Sequence, residues 1–83
     1  MAIIKRLTVK IILDILKEIR IHGKLKRTRL ALYSNLQYGT FQKYLFIMKL
    51  LNLLVTVETV DGIFVDSTEV GKKFLATLSE DEK

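Results

Sequence analysis

The chain has 83 residues, of which 49% are apolar and none is cysteine or proline. This length allows one domain, and the lack of cysteine excludes disulfides and thiolate metal sites. We therefore expect a single domain over residues 1–83. Because so small a domain has little core to fill, we expect self-association to cover the surplus apolar side chains.

The amino-terminal segment Met1–Ile4 is apolar, but Lys5 and Arg6 interrupt it at once. Such a segment is too short and too charged for a secretory signal or a membrane span. We therefore predict a cytoplasmic protein without a membrane partner.

Charge is divided unevenly along the chain, whose net charge is +5. Residues 1–57 carry 11 basic and 2 acidic side chains (+9), whereas residues 58–83 carry 3 basic and 7 acidic ones (−4). A basic part joined to an acidic part is typical of a surface that binds a polyanion. The alternative is a solubilising surface whose charge is merely uneven.

Apolar residues at helical spacing predict a first helix from Leu7 to Ile21. Thr8 is a candidate N-cap, and Gly23 can take the left-handed conformation that follows a helix end. Val9 and Leu13 fall beside the main apolar stripe, so they widen the apolar face beyond what one core requires.

Lys24–Lys26 alternates in polarity and predicts a very short strand, which is followed by a second helix over Arg27–Ser34. Asn35–Gln37 makes a tight connection to a third helix over Gln37–Leu51. At 100° per residue, one side of that helix carries Phe41, Tyr44, Leu45, Met48 and Asn52. The other side carries Gly39, Lys43, Phe46 and Leu50.

After Asn52 the period changes from 3.6 to 2, which predicts strands at Leu53–Thr59 and Ile63–Val65. The turn Val60–Gly62 between them contains Asp-Gly, a strong hairpin signal. Ser67 or Thr68 then caps a last helix whose apolar side consists of Val70, Phe74, Leu75 and Leu78. We expect the acidic tail, residues 79–83, to fray.

The predicted fold is therefore mainly α with a small β-hairpin. Its order is helix, short strand, helix, tight turn, helix, hairpin, helix. Two helices joined by a tight turn and followed by a hairpin make a winged helix-turn-helix.

Several short motifs carry a family resemblance: Ile11–Leu16, Thr28–Leu30, Asn35-Leu36, Phe41 with Tyr44-Leu45, and Leu51–Leu54. After the wing, Thr68–Leu75 is similar to a Thr-Glu-x-Gly-(Lys/Arg)-x-(Phe/Leu)-Leu signature. Over roughly residues 8–78 the chain resembles the small archaeal winged-helix regulators of crenarchaea and their viruses and plasmids. The resemblance implies a homodimer whose third helix enters the major groove of DNA and whose second helix contacts the DNA backbone.

The chain departs from that family in two places. Asn52 stands where many members carry glycine, although asparagine tolerates the same left-handed geometry. The wing contains Glu58, Asp61 and Asp66 and no basic residue. We therefore do not expect the wing to contact DNA.

Four basic residues within six positions surround the start of the second helix, and a fifth lies in the third helix. Cations there can displace counterions from phosphates, which gives an affinity that falls steeply with salt. The alternative is a solvated helix start, which is disfavoured because cations there oppose the helix dipole. The predicted phosphate contacts are Lys24, Lys26, Arg27, Arg29 and Lys43.

The start of the third helix is polar. Glutamine can pair with adenine, the threonine methyl can contact the thymine methyl, and glycine permits close approach of the backbone. The alternative is an ordinary polar first turn. The predicted base-facing residues are Gln37, Tyr38, Gly39, Thr40 and Gln42.

For the dimer interface we predict Val9 and Leu13 of the first helix together with Phe74 of the last helix. Phe46 and Leu50 point away from the predicted core. They either contact a partner subunit or are core residues, in which case the placement of residues around the helix is off by one position.

No catalytic residue, metal ligand, cofactor or small-molecule substrate is predicted. His22 is the only histidine and is expected at a helix end, and no nucleophile, acid–base pair or glycine-rich phosphate loop is present. The leading hypothesis is a transcriptional regulator that binds double-stranded DNA as a homodimer on a near-palindromic site. The alternatives are a protein–protein adaptor and a sequence-tolerant architectural DNA-binding protein.

Overall fold

A computed structural model describes the backbone of residues 9–81 and the side chains of residues 9–78. Leu7 and the candidate N-cap Thr8 lie outside the described residues. The elements are α1 (Val9–His22), β1 (Leu25–Lys26), α2 (Arg27–Tyr33), α3 (Tyr38–Leu50), β2 (Leu54–Thr59), β3 (Gly62–Ser67) and α4 (Glu69–Asp81). This is the predicted order, and the fold class is confirmed.

The boundaries differ from the predicted ones by one or two residues. Ser34 and Leu51, predicted as the last residues of their helices, are the C-caps of α2 and α3. The backbone of α4 is helical as far as Asp81, so the first part of the tail that we expect to fray continues the helix.

The three strands form one antiparallel sheet in the order β1-β3-β2. Thr59 pairs with Gly62, so Val60 and Asp61 form the two-residue tip of the predicted hairpin. The Thr59 hydroxyl supports the tip: it accepts a hydrogen bond from the Asp61 backbone N–H and donates one to the Gly62 carbonyl, both at 3.2 Å. β1 adds a short third strand that pairs Leu25 with Val65.

The core lies where α1 packs against α2, α4 and β3. Ile15, Leu16 and Ile19 are buried there, as the apolar stripe predicts. Leu13 is buried too, with 2% of its surface exposed. The prediction that Leu13 lies beside the stripe at a dimer interface is therefore wrong, because partners on several sides of α1 cover a wider arc than one stripe.

An asparagine in the left-handed conformation stands before α3 and another stands after it. Asn35 has φ +59° and Asn52 has φ +64°. Each follows a helix end at which a backbone N–H reaches back five residues, from Leu36 to Ala31 O and from Leu53 to Met48 O. This is the Schellman pattern, in which a left-handed residue lets the last carbonyls of the helix find donors.

Thr68 ties the start of α4 to the exit from α3. Its hydroxyl accepts a hydrogen bond from the Gly71 N–H at 3.0 Å and donates a short one to the Asn52 carbonyl. The Thr68 backbone N–H donates to the Leu53 carbonyl at 3.1 Å. Of the two predicted caps, Thr68 is therefore the one that caps α4.

Candidate nucleic-acid interface

The two sides of α3 differ as the 100° spacing predicts. Phe41, Tyr44, Leu45 and Met48 are buried in the core. Phe46 and Leu50 are 64% and 70% exposed, so the alternative in which they belong to the core is wrong. We call the side of α3 that carries Gly39, Gln42, Lys43, Phe46, Lys49 and Leu50 the outer face.

The five predicted base-facing residues are all exposed and all lie at the amino-terminal end of α3. Gln37 is the N-cap, but its side chain caps no backbone group. The Tyr38 ring rests near the Phe41 ring, with 6.1 Å between centroids. At 100° per residue, Thr40 projects about 160° away from Gln42, so the five residues share an end of the helix rather than one face.

A groove of about 390 Å³ separates the start of α2 from the second half of α3. Arg27 lines one side, and Gln42 and Lys49 line the other together with Phe46 and Leu50. The structure thus brings a predicted phosphate contact and a predicted base contact into one groove. Sequence reasoning missed Lys49, although its position seven residues after Gln42 places it on the same helix face.

Lys24 and Lys26 lie against the sheet rather than against α2. Their ammonium groups are 5.4 and 5.8 Å from the centre of the Phe64 ring, within the range of cation–π attraction. Lys26 also pairs with Phe64 in the strand register. These two lysines therefore place positive charge beside the wing, whose own side chains supply none.

Arg29 is connected to α1 through two rings. Its guanidinium Nη1 donates to the Tyr33 hydroxyl at 3.4 Å. The Tyr33 ring stacks on His22 with 4.3 Å between centroids and 9° between planes, and His22 Nε2 lies 3.3 Å from Glu18. His22 is the last residue of α1, as predicted, and it supports the tyrosine that holds Arg29.

The ion pairs among residues 9–78 do not involve α3. Ion pairs join Lys10 to Asp14 and Lys72 to Glu69, far from that helix in sequence. Within the described part of the chain, no ion pair involves Lys24, Lys26, Arg27, Arg29, Lys43 or Lys49. Their charge is therefore available to an external anion.

The candidate dimer residues differ in exposure. Val9 is 49% exposed, and Phe74 is partly buried against the core.

Between residues 9 and 81, no helix is long and apolar enough to cross a membrane. No three His, Cys, Asp or Glu side chains among the described residues lie close enough together to hold a metal ion.

The solved structures that are similar to this chain include the following three. RV1404 from Mycobacterium tuberculosis has a TM-score of 0.81 at 14% identity, over 92% of this chain and 53% of its own. A MarR family protein from Bacillus stearothermophilus has a TM-score of 0.78 at 16% identity, over 92% and 54%. This chain thus spans about half the length of both. Sso10a-2, a DNA-binding protein from Sulfolobus solfataricus, has a TM-score of 0.76 at 28% identity, over 90% and 77%.

No curated protein matches the chain closely enough to serve as a relative. The sequence model of the winged helix-turn-helix family, however, matches residues 5–83, which is nearly the whole chain. The order of elements and the hairpin that follows α3 agree with that match. The chain belongs to the winged helix-turn-helix family.

Proposed function

We propose that this protein binds double-stranded DNA through α3 and acts as a transcriptional regulator. The observation that carries the proposal is an exposed helix face that bears Lys43 and Lys49 and meets Arg27 across a groove, with no acidic partner for these three cations among the described residues. A helix with its side chains is about 10–12 Å wide, and the major groove is about 12 Å wide. Gly39 at the amino-terminal end leaves room for the backbone to approach the bases.

In this proposal two sets of residues have different tasks. Cations on both sides of α3 hold phosphates and set the position of the helix, while polar groups at its start meet base edges. The phosphate set is Lys24, Lys26, Arg27, Arg29, Lys43 and Lys49. The base-facing set is Gln37, Tyr38, Gly39, Thr40 and Gln42.

The acidic wing limits how the domain can lie on a duplex. Glu58 and Asp61 are exposed near the hairpin tip and would be repelled by phosphates. Lys24 and Lys26 at the Phe64 ring instead offer cations on the opposite edge of β3 from β2. We therefore propose that β1, rather than the wing tip, meets the DNA backbone beside α3.

We further propose that residues 1–83 form one non-enzymatic domain that acts in the cytoplasm as a homodimer on a near-palindromic site. Val9 and Phe74 remain candidates for the dimer contact. Two recognition helices about 34 Å apart would match half-sites one helical turn apart. We propose a regulator of the crenarchaeal type, and the similarity to Sso10a-2, a DNA-binding protein from Sulfolobus solfataricus, supports DNA as its ligand.

The proposal is tested by gel retardation of duplexes selected from a random pool, across a salt series. Six phosphate contacts per protomer, and thus twelve for a homodimer on its two half-sites, predict a slope of log K against log salt of about −11, whereas a bound monomer would give about −5. A complex that is indifferent to salt would contradict the proposal. The mass of the free protein, measured by light scattering, tests the homodimer separately.

A protein–protein adaptor is the second candidate, because Val60 is fully exposed at the tip of an acidic wing. It predicts capture of a protein partner that survives high salt and no retardation of any duplex. A sequence-tolerant architectural protein would retard duplexes with the same salt slope but would select no preferred site from the pool.

A further inference from the structure

One large apolar side chain lies in the middle of the outer face of α3. Phe46 is 64% exposed. At 100° per residue it projects within about 60° of Gly39, Gln42 and Lys49. It is thus surrounded by the groups that are proposed to meet DNA, and a polar side chain would be the ordinary choice at such a place.

Building on the proposed function, we propose that Phe46 is a specificity-determining residue that contacts the C5-methyl group of thymine in the major groove. Thymine is the one base that presents a methyl group there, and apolar side chains, phenylalanine among them, recognise it by contact. Contact with the methyl group removes apolar surface of the phenylalanine ring from water, which is favourable. The contact leaves no hydrogen-bonding group of the base without a partner, because the methyl group forms no hydrogen bonds.

The position of Phe46 predicts where that thymine lies. Gln42 and Phe46 are four residues apart on one face, so they are separated by about 6 Å along the helix axis. Successive base pairs are about 3.4 Å apart. The thymine that Phe46 contacts should therefore lie roughly two base pairs from the base that Gln42 contacts.

The charges beside Phe46 favour a nucleic acid over a protein as the occupant of this face. Arg27 and Lys49 line the groove next to the ring, and Lys43 lies on the same side of the helix. Lysine is depleted in protein–protein interfaces, whose centres exclude charge. Three cations that form no ion pair with any described residue stand around one exposed ring, and they match a phosphate-lined groove instead.

The test uses a duplex selected from a random pool and copies of it in which deoxyuridine replaces thymidine at single positions. This exchange removes one methyl group and leaves every phosphate and hydrogen-bonding group in place. For the wild-type protein, one position is expected to lose about fourfold in affinity, the value of one buried methyl group. For Phe46→Ala, the thymidine and deoxyuridine duplexes are expected to bind equally.

Val70→Ala is the matched control, because Val70 is an exposed apolar residue on α4, outside the outer face. It should keep the full preference for thymidine. Phe46→Leu should keep part of it, since the leucine side chain is still apolar. Thermal unfolding of each variant checks that the fold is intact. We expect an intact fold because Phe46 is not part of the core.

Three results would overturn the inference. The first is a selected site that contains no thymine within the footprint, and the second is a Phe46→Ala variant that still binds DNA and retains the wild-type preference. A third is that Phe46→Ala converts a dimer to a monomer in light scattering, which would make the face an interface between copies of this chain. If no duplex binds the wild-type protein at any salt concentration, the proposed function fails as well. Binding of the wild-type protein to the selected thymidine duplex is measured first and separates that outcome from the others.

Discussion

Gly71 in the first turn of α4 packs directly against the backbone carbonyl of Leu53, the residue that follows the exit from α3. A Cβ built on Gly71 would overlap that oxygen and would also lie 3.4 Å from Leu16 Cδ2. The obstructing oxygen belongs to the backbone and cannot rotate away. The glycine therefore fixes how closely α4 can approach the strand that leads out of α3.

Gly71→Ala is expected to lower the free energy of unfolding by about 1–3 kcal/mol, the usual cost of an added group in a packed site. Gly39→Ala is the matched control, because nothing lies within 4 Å of the added methyl group. That change should leave stability equal or raise it by up to about 1 kcal/mol, since alanine favours the helix. Urea unfolding measures both, and equal effects would contradict the close packing at Gly71.

Thr68→Ala is expected to cost about 1 kcal/mol, because α4 loses its N-cap and the Asn52 carbonyl loses its donor. Thr68→Ser keeps the hydroxyl and should retain most of that stability. Urea unfolding of the two variants separates the hydroxyl from the methyl group. If Thr68→Ser lowers the free energy of unfolding as much as Thr68→Ala does, packing of the methyl group rather than capping explains the effect.

Asn52→Ala is expected to destabilise the protein by about 1–2 kcal/mol, because alanine must adopt φ +64° at the end of α3. Asn52→Gly should be tolerated, since glycine enters this region without a steric penalty. Both variants are compared by thermal unfolding. A glycine variant as unstable as the alanine variant would show that the asparagine side chain, and not the backbone, matters there.

Lys43→Gln and Lys49→Gln should each reduce the magnitude of the salt slope of DNA binding by about 1 per protomer, which is about 2 for a homodimer, and weaken binding to all duplexes alike. Lys73→Gln is the control, because Lys73 is exposed on α4. Its slope should equal that of the wild type. A larger loss for Lys73→Gln than for the two α3 variants would place the DNA contact on another face.

Tyr33→Phe should weaken DNA binding by no more than about threefold, because the exposed hydrogen bond to Arg29 contributes on the order of 0.5 kcal/mol. The ring and its stacking on His22 are kept. In an Arg29→Gln background the same change should have no effect on affinity. A double-mutant cycle measured by gel retardation tests this coupling, and purely additive losses would exclude it.

The order of elements could be predicted because each has a local signal. The Asp-Gly hairpin turn, the left-handed Asn52 and Gly23 and the Thr68 cap all follow from the sequence and are found in the structure. The helical spacing of α3 also predicts which of its side chains are exposed. These features depend on neighbours within one or two turns.

Features that depend on distant segments could not be predicted. The burial of Leu13 requires that α1 be covered from several sides, and the sequence does not tell how many elements surround a helix. Lys24 and Lys26 precede α2 in the chain, yet pairing of β1 with β3 brings them to Phe64. The link from His22 through Tyr33 to Arg29 likewise arises only when α1 and α2 are in place.

The two left-handed asparagines that bracket α3 have a consequence for how such a domain can diversify. Because backbone turns at both ends set the direction of the helix, the side chains on its solvent-exposed side contribute little to folding. Exchanges at exposed positions usually change stability by less than about 0.5 kcal/mol. Positions such as Gln42 and Phe46 are therefore free to mutate while the scaffold persists, so one ancestor can yield descendants that recognise different targets.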